Sequence, residues 1–223
     1  MAPNLRVKIC GITQGTQAIA ITQAGADALG FICVQQSPRY ITAEKIRSIV
    51  DKLPEAVAKI GVFMNADLDG LKDFVTATGL TAIQLHGGEE QDYCKELRDL
   101  LPEIEIIKAF RIRRLDDLEW AETFAEEVDW FLLDAYHPDM GGGTGKTLDW
   151  GELDRFRPSK PWFLAGGLNP NNIRAALALT NPNGIDLSSG VEKRPGDKDL
   201  DAVKALFEQL VRFRRRKAGD GSG

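Results

Sequence analysis

LRVKICGITQGTQAIAITQAGADALGFI, residues 5–32, decides the fold because two short apolar runs stand on either side of a helical pattern. The runs are LRVKIC (5–10) and ADALGFI (26–32), and the segment between them repeats apolar residues at the three- and four-residue spacing of a helix. Gly25 stands where that helix would end. The stretch therefore predicts a strand, a helix and a second strand.

The same alternation continues along the rest of the chain. Six further apolar runs follow, namely AVAKIGVF (56–63), TAIQL (81–85), IEIIKAF (104–110), VDWFLLD (128–134), PWFLAG (161–166) and NGIDLS (183–188). Helical patterns between them include TAEKIRSIVDKL (42–53), LDGLKDFVTATG (68–79), EEQDYCKELRDLL (89–101) and RLDDLEWAETFAEE (114–127). Thr42 is a candidate N-cap, and Gly79 a candidate helix end.

Strict strand–helix alternation produces a parallel sheet, which is either an open, doubly wound sheet or a closed barrel. Eight units favour the barrel. The turn after the first strand reads CGITQG and lacks the GxGxxG fingerprint of the nucleotide-binding open fold. We therefore expect the α/β class with a (β/α)8 TIM barrel, and an eight-stranded open sheet is the alternative.

Composition limits the class of protein. The chain has 223 residues, 43% of them hydrophobic and 27% charged, which suits one globular domain over 1–223. The five-cation tail RFRRRKAGDGSG predicts a frayed end at about 214–223. The net charge of -5 argues against a nucleic-acid partner, which would require a basic face.

Cysteine and histidine usage points to a site without metal. The three cysteines have unrelated spacings, and the two histidines belong to no CxxC-type pattern, so neither a disulfide framework nor a metal site is expected. The N-terminal MAPNLRVK lacks a secretory signal and no apolar run reaches membrane-helix length. We expect a cytoplasmic enzyme with no membrane partner, acting as a monomer.

Polar residues gather where the predicted strands end, and a barrel builds its site there. They are Cys10, Arg39, His86, Asp134, Asp186, Ser188 and Ser189. Glycine-rich turns follow the last three strands, as MGGGTG (140–145), AGGLNP (165–170) and SSGVE (188–192). Backbone amides of Gly166 and Gly167, with those of Ser189 and Gly190, predict a phosphate cradle in the two loops where barrels usually hold phosphate. Each loop alone could equally contain ordinary turn glycines.

Several segments together resemble one family over nearly the whole chain. They are VKICGIT (7–13), FICVQQSPRYI (31–41), IGVFMN (60–65), IQLHG (83–87), LLDAY (132–136), GGTG (142–145), LAGGLNPNNI (164–173) and GIDLSSGVE (184–192). The chain resembles the phosphoribosylanthranilate isomerases of tryptophan biosynthesis. The resemblance implies a cofactor-free Amadori rearrangement of a phosphosugar, N-(5′-phosphoribosyl)anthranilate, to 1-(2-carboxyphenylamino)-1-deoxyribulose 5-phosphate.

The resemblance also implies the acid and the base. The family's base falls on Cys10 of KICG and its acid on Asp134 of LLDAY. A thiol can serve if positive surroundings bring its pKa toward neutrality, and the carboxyl if burial or a negative neighbour raises its pKa. Taken alone, Cys10 could be a small buried hydrophobe and Asp134 a strand-end cap. Lys8 shares the strand face of Cys10, and either favours the thiolate or belongs to a buried ion-pair layer.

The remaining site residues have two interpretations each. The planar guanidinium of Arg39 suits the anthranilate carboxylate, or forms a surface salt bridge. Asp186 either accepts a hydrogen bond from a ribose hydroxyl or orients the phosphate loop. His86 either takes part in the chemistry or holds neighbouring turns together. Cys33 and Gln35–Gln36 depart from the family's segment before SPR, which leaves the contacts of that loop in doubt.

Three other functions remain as alternatives. A related phosphosugar barrel, an epimerase or an indoleglycerol-phosphate synthase, would require metal-binding histidines or catalytic lysines that the strand ends lack. A phosphosugar-binding protein without turnover would not need both Cys10 and Asp134. A hydrolase with a Cys10 nucleophile would need His86 within hydrogen-bond reach.

Overall fold

The structure is a computed structural model that describes residues 5–134, 150–153 and 156–219, without the side chains of 115, 151, 152 and 212–219. Eight parallel strands close into a barrel in the order β1 to β8, each paired with the next and β8 paired with β1. The strands are β1 (Arg6–Cys10), β2 (Ala28–Ile32), β3 (Ala58–Phe63), β4 (Ala82–Leu85), β5 (Glu105–Arg111), β6 (Trp130–Asp134), β7 (Trp162–Ala165) and β8 (Gly184–Leu187). All eight predicted strands are confirmed, and the closed barrel excludes the open sheet.

Helices follow the strands. They are α1 (Gly15–Ala24), α2 (Ala43–Val50), α3 (Leu68–Thr78), α4 (Gln91–Leu100), α5 (Leu115–Glu122), α6 (Trp150–Leu153), α7 (Ile173–Leu179) and α8 (Leu200–Gly219). Between β8 and α8 the chain forms a 3-10 turn, Ser189–Val191, and a hairpin of β9 (Glu192–Arg194) and β10 (Asp197–Lys198). No local sequence pattern predicted this hairpin.

The predicted helix ends hold with two exceptions, and the first is the second helix, which was predicted to run to residue 53, whereas α2 ends at Val50. Thr42 caps α2 by accepting a hydrogen bond from the backbone N–H of Lys45, and α1 and α3 end at Gly25 and Gly79 with φ of 113° and 71°. The fifth helix was predicted to run to residue 127, but α5 ends at Glu122. Beyond it the backbone bonds to the third preceding residue, as a succession of tight turns.

The barrel strands divide their side chains between two cores. Outward-facing residues such as Ile9, Phe31 and Phe131 pack under the helices in the large outer core. Inward-facing Ile60, Ile107, Leu132 and Phe163, with small alanines, form a second cluster within the barrel, as strand alternation requires. At the carboxyl end the inward positions become polar, and the site is built there.

Three further predictions concern the C-terminal tail, membrane-spanning helices and the glycine-rich turn after β6. Helix α8 extends to Gly219, so the frayed end expected at about 214–223 overlaps this helix and the four residues outside the described part, and it stays a prediction. No helix in the described part of the chain is long and apolar enough to cross a membrane. The predicted MGGGTG turn lies outside the described residues.

Candidate active site

A cavity of about 550 Å³ opens at the carboxyl-terminal ends of the strands. All ten residues predicted for the site line it: Cys10, Arg39, His86, Asp134, Gly166, Gly167, Asp186, Ser188, Ser189 and Gly190. Apolar side chains, among them Ile32, Val34, Val62 and Leu132, supply the rest of its wall. The cavity therefore combines an apolar surface with a few convergent polar groups, as small-molecule sites do.

Cys10 ends β1 with its thiol inside the barrel. It is paired in register with Gly30 of β2, where an added Cβ would lie 2.6 Å from Sγ. The missing side chain of Gly30 thus makes room for the thiol. Burial raises the pKa of Cys10 above its ordinary value, and the charge of Lys8 opposes this rise without cancelling it. The expected shift toward neutrality is therefore wrong in direction, because the sequence does not reveal how completely the thiol is desolvated.

Lys8 connects three strands beneath the cavity. It is fully buried, and its Nζ donates to Asp186 Oδ2 at 2.8 Å and to Gln84 Oε1 at 2.8 Å. Burial lowers the pKa of Lys8, but the charges of Asp186 and Cys10 outweigh it and leave the pKa raised. Lys8 is thus a member of a buried ion pair and also a positive charge beside Cys10, which unites both interpretations of its role. The other carboxylate oxygen of Asp186, Oδ1, is buried and has no hydrogen-bond partner among the residues that the structure describes.

Asp134 ends β6, and on the shorter way around the barrel β7 and β8 separate it from Cys10. Burial raises the pKa of Asp134, while His86 and Arg111 lower it. The net shift is upward, which is the direction that a general acid needs. His86, after β4, has its Nδ1 at 2.9 Å from Nε2 of Gln84.

Arg39 is held by a carboxylate that the sequence analysis missed. Its Nε donates to Glu192 at 3.0 Å and its Nη2 donates at 2.7 Å. Glu192 also accepts at 2.7 Å from Lys198 Nζ, so one buried carboxylate joins two cations. Nη1 of Arg39 has no hydrogen-bond partner among the described residues and remains available to a ligand. Gly11, with φ of 79°, lets the arginine stem pass, since a Cβ there would lie 2.7 Å from Arg39 Cδ.

The hairpin that carries these groups is fastened to the start of α1. Thr13 donates to the carbonyl of Gly196, and the Gln17 amide donates at 2.8 Å to Asp197. Gln17 also accepts from the backbone N–H of Lys198 at 2.9 Å. The segments in contact lie at opposite ends of the chain, and the hairpin is charged without apolar periodicity. No local pattern could have predicted this contact.

The two glycine loops meet at Gly190. A Cβ at Gly190 would overlap the carbonyl oxygen of Leu168, so the loops after β7 and β8 touch through their backbones. Gly166 and Gly167 have φ of 98° and 62°, in the left-handed region that glycine adopts without strain. No hydrogen-bond partner is present among the described residues for the backbone amides of Gly167, Ser189 and Gly190.

The other candidate chemistries find little support in this geometry. His86 is bonded to Gln84, and no hydrogen bond joins it to Cys10 among the described residues, as a thiol hydrolase would require. Burial raises the pKa of Cys33 to about 12 and that of Cys94 to about 11, so neither is an activated thiol. Within the described ranges, no group of three or more His, Cys, Asp or Glu side chains is placed to hold a metal.

Comparison with known proteins places this site in a known context. Residues 7–209 match the family model described as N-(5′-phosphoribosyl)anthranilate (PRA) isomerase. The N-(5′-phosphoribosyl)anthranilate isomerase of Trichormus variabilis is 56% identical over 206 residues, covering 92% of this chain and 98% of that protein.

Solved structures agree with the sequence comparison. A phosphoribosylanthranilate isomerase in complex with reduced 1-(o-carboxyphenylamino)-1-deoxyribulose 5-phosphate superposes with a TM-score of 0.79 at 37% identity, covering 92% of this chain and 97% of that one. The Thermotoga maritima enzyme gives a TM-score of 0.81 at 39% identity, covering 93% and 99%. Another structure of that enzyme is described as monomers of a dimeric isomerase.

Fold and site together define the class of protein, a TIM-barrel isomerase with its site at the carboxyl ends of the strands. More particularly, the chain belongs to the N-(5′-phosphoribosyl)anthranilate isomerase family, whose reaction is of the aldose–ketose type.

Proposed function

We propose that this chain performs the Amadori rearrangement of N-(5′-phosphoribosyl)anthranilate to 1-(2-carboxyphenylamino)-1-deoxyribulose 5-phosphate in tryptophan biosynthesis, with Cys10 as general base and Asp134 as general acid. The observation that carries the proposal is the placement of a buried thiol and a half-buried carboxyl on separate sides of one cavity. Both groups act on the sugar, and the reaction needs no cofactor because each step is a proton transfer.

Asp134 and Cys10 together account for every proton that the reaction moves. Asp134 protonates the ring oxygen as its bond to C1′ breaks, and the nitrogen lone pair completes the C1′=N bond. The Cys10 thiolate then takes the C2′ proton, and the released electrons form C1′=C2′ and neutralise the nitrogen. In the last step the thiol protonates C1′, while the 2′-hydroxyl proton restores the acid and leaves the ketone.

Only a minority of the enzyme molecules have the active protonation state at any pH. It requires ionised Cys10 and protonated Asp134, although the ordinary pKa of the thiol, 9.0, far exceeds the 3.8 of the carboxyl. The rate should therefore rise with pH up to the pKa of Asp134 and fall above that of Cys10. The plateau between them falls tenfold for each unit by which the two pKa values separate.

Substrate binding uses the other residues of the cavity. Nη1 of Arg39 bonds the anthranilate carboxylate, while Glu192 keeps the opposite edge of the guanidinium in place. Oδ1 of Asp186, which has no hydrogen-bond partner in the described part of the chain, accepts a hydrogen bond from a ribose hydroxyl.

The phosphate lies between the two glycine loops. The backbone amides of Gly166, Gly167, Ser189 and Gly190 bond its oxygens, and Ser188 adds its hydroxyl at the edge of the cradle. The contact of the two loops at Gly190 supports this arrangement, because it brings both sets of amides to one wall of the cavity.

Turnover of freshly made substrate in D2O tests the proposal. We expect anthranilate-type fluorescence to fall with time, and solvent deuterium to appear at C1′ of the product to the extent that the Cys10 thiol exchanges its proton with D2O before it protonates C1′. Release of free anthranilate with an adduct on Cys10 would indicate a hydrolase. Binding of the substrate without turnover by folded protein would indicate a binding protein, and either result contradicts the isomerase.

We also propose that residues 1–223 form one domain that acts as a monomer in the cytoplasm. All eight strands belong to one barrel, and the large exposed apolar side chains of the described residues are spread over separate segments: Tyr40, Met64, Trp120, Leu179, Leu200 and Val211. A reducing compartment suits a catalytic thiol. Sedimentation at micromolar concentration should give a single 24.5 kDa species, and a dimer would contradict this.

A further inference from the structure

Gln84 of β4 bridges Lys8 and His86 below the cavity. Its Oε1 lies 2.8 Å from Lys8 Nζ, and its Nε2 lies 2.9 Å from His86 Nδ1. Both Lys8 and Gln84 are almost entirely buried, with exposures of 0% and 1%, so protein groups must satisfy their polar atoms. An ammonium can only donate hydrogen bonds, so the amide atom that faces Lys8 is the oxygen. The orientation of the Gln84 amide is thereby determined by chemistry.

The direction of the second hydrogen bond follows from the first. With its oxygen toward Lys8, Gln84 presents its NH2 to His86, and an amide NH2 can only donate. Nδ1 of His86 must therefore accept and carries no proton. A neutral imidazole in this state has its proton on Nε2, and an imidazolium, with N–H on both nitrogens, does not fit.

We propose that Gln84 is a positioning residue that holds His86 as the neutral Nε2–H tautomer, so that the ring offers a hydrogen-bond donor, and not a base, to a sugar oxygen of the substrate. His86 lines the cavity, and its Nε2 has no hydrogen-bond partner among the described residues. The tautomer assignment does not depend on the proposed function, whereas the hydrogen bond to a sugar oxygen rests on the proposed function.

The charged groups around His86 also favour the neutral ring. Burial lowers its pKa, and the charges of Lys8 and Lys108 lower it further. Asp134 and Asp186 act in the opposite direction, but the net shift is downward. Neutrality matters to the acid, because a positive His86 would lower the pKa of Asp134. Gln84 therefore helps Asp134 to keep its proton while His86 still donates a hydrogen bond.

The substitution Gln84→Glu reverses the polarity of the bridge with little change in shape. A carboxylate accepts from Lys8 with one oxygen and offers His86 only another acceptor. Nδ1 must then carry a proton, either as the other neutral tautomer or as an imidazolium. Gln84→Met is the matched control, since it removes the hydrogen bond to Nδ1 without imposing the opposite one.

Nitrogen-15 NMR of labelled histidine reads the tautomer directly. The chain has two histidines, so in the variant His137→Gln all histidine signals come from His86. We expect a protonated Nε2 and a bare Nδ1 in this background, and a protonated Nδ1 after Gln84→Glu. A proton on Nδ1 before that change, or an unaltered spectrum after it, would overturn the tautomer assignment.

Kinetics test what the tautomer does. In Gln84→Glu, the neutral Nδ1–H tautomer loses the donor and the imidazolium lowers the pKa of Asp134, so either form should lower the kcat plateau at least tenfold. The imidazolium also moves the acid limb to lower pH. Gln84→Met, which imposes no proton on Nδ1, should move that limb less. An unchanged plateau and limb in a folded Gln84→Glu enzyme with altered NMR signals would overturn the donor role. Absence of turnover in every variant, including the unsubstituted protein, would instead contradict the proposed function, and the NMR result would stand separately.

Discussion

Arg39 shows how a single charge can be divided between structure and substrate. Glu192 takes the Nε and Nη2 hydrogens, and the carboxylate is itself shared with Lys198. Removing the guanidinium therefore leaves Glu192 with a cationic partner, so the loss should appear in substrate recognition more than in folding.

Arg39→Ala should lower kcat/KM about tenfold or more, because a hydrogen bond to a charged group contributes about 1.5–3 kcal/mol. Steady-state kinetics with the true substrate and with an analogue that lacks the carboxylate measure this. The analogue should be nearly insensitive to the substitution. Equal losses for both compounds would remove Arg39 from carboxylate recognition.

Residues of this kind were predictable when they ended a strand. Cys10 and Asp134 end their strands, Arg39 lies in the SPR motif of the loop after β2, and all three line the cavity. Glu192 and Lys198 were missed because their hairpin has no periodic pattern. The direction in which the pKa of Cys10 shifts was also unpredictable, because it depends on burial by residues far away in the sequence.

At the scale of elements, the loops after β7 and β8 share one point of close approach. The proposed phosphate cradle depends on it, because a side chain at Gly190 would push the loops apart. The turn after β4 has a different support, a buried ion pair of Lys108 Nζ and Glu89 at 3.2 Å. Glu89 also accepts hydrogen bonds from the backbone N–H groups of Asn65 and Gly87.

Gly190→Ala should raise KM and weaken the binding of inorganic phosphate as a competitive inhibitor. The added methyl overlaps the Leu168 carbonyl and separates the two loops. Gly70→Ala is the matched control, since nothing lies within 4 Å of its Cβ and it sits in α3, where alanine stabilises a helix by about 0.5–1 kcal/mol. An unchanged phosphate affinity in Gly190→Ala would contradict the cradle.

Lys108→Met should destabilise the protein by about 3–5 kcal/mol, since it leaves the Glu89 carboxylate buried without its cation. Both side chains are 1% exposed, so water cannot substitute for the lost partner. The double variant with Glu89→Gln should recover part of the loss. Urea unfolding measures both, and a loss below 1 kcal/mol would mean that the turn does not depend on the pair.

For the whole molecule, the order of the elements was predictable from the sequence. The eight apolar runs became eight strands because a parallel barrel buries both faces of each strand, which leaves a strong local signal. The end of α5 at Glu122 and the hairpin before α8 were not predictable from the sequence, because tight turns and charged hairpins depend on tertiary contacts.

The pH dependence of kcat/KM belongs to this scale, because it reflects two groups on separate sides of the barrel. Burial raises the pKa of Cys10 above 9.0, and the rate declines only when the pH exceeds it. We therefore expect kcat/KM to hold through pH 9 and to fall only where the pH exceeds the raised pKa of Cys10. A decline well below pH 9, at constant fold by circular dichroism, would mean that Cys10 is not the group that sets this limb.

The most direct test is kcat for Cys10→Ala and Asp134→Asn with freshly made N-(5′-phosphoribosyl)anthranilate, alongside binding of the reduced product analogue. Each substitution should lower kcat by about 10²–10⁴, the usual contribution of a positioned acid or base, and leave analogue binding intact. Cys33→Ala should be nearly silent, since burial raises the pKa of that thiol to about 12. Full activity in Cys10→Ala or in Asp134→Asn would contradict the mechanism.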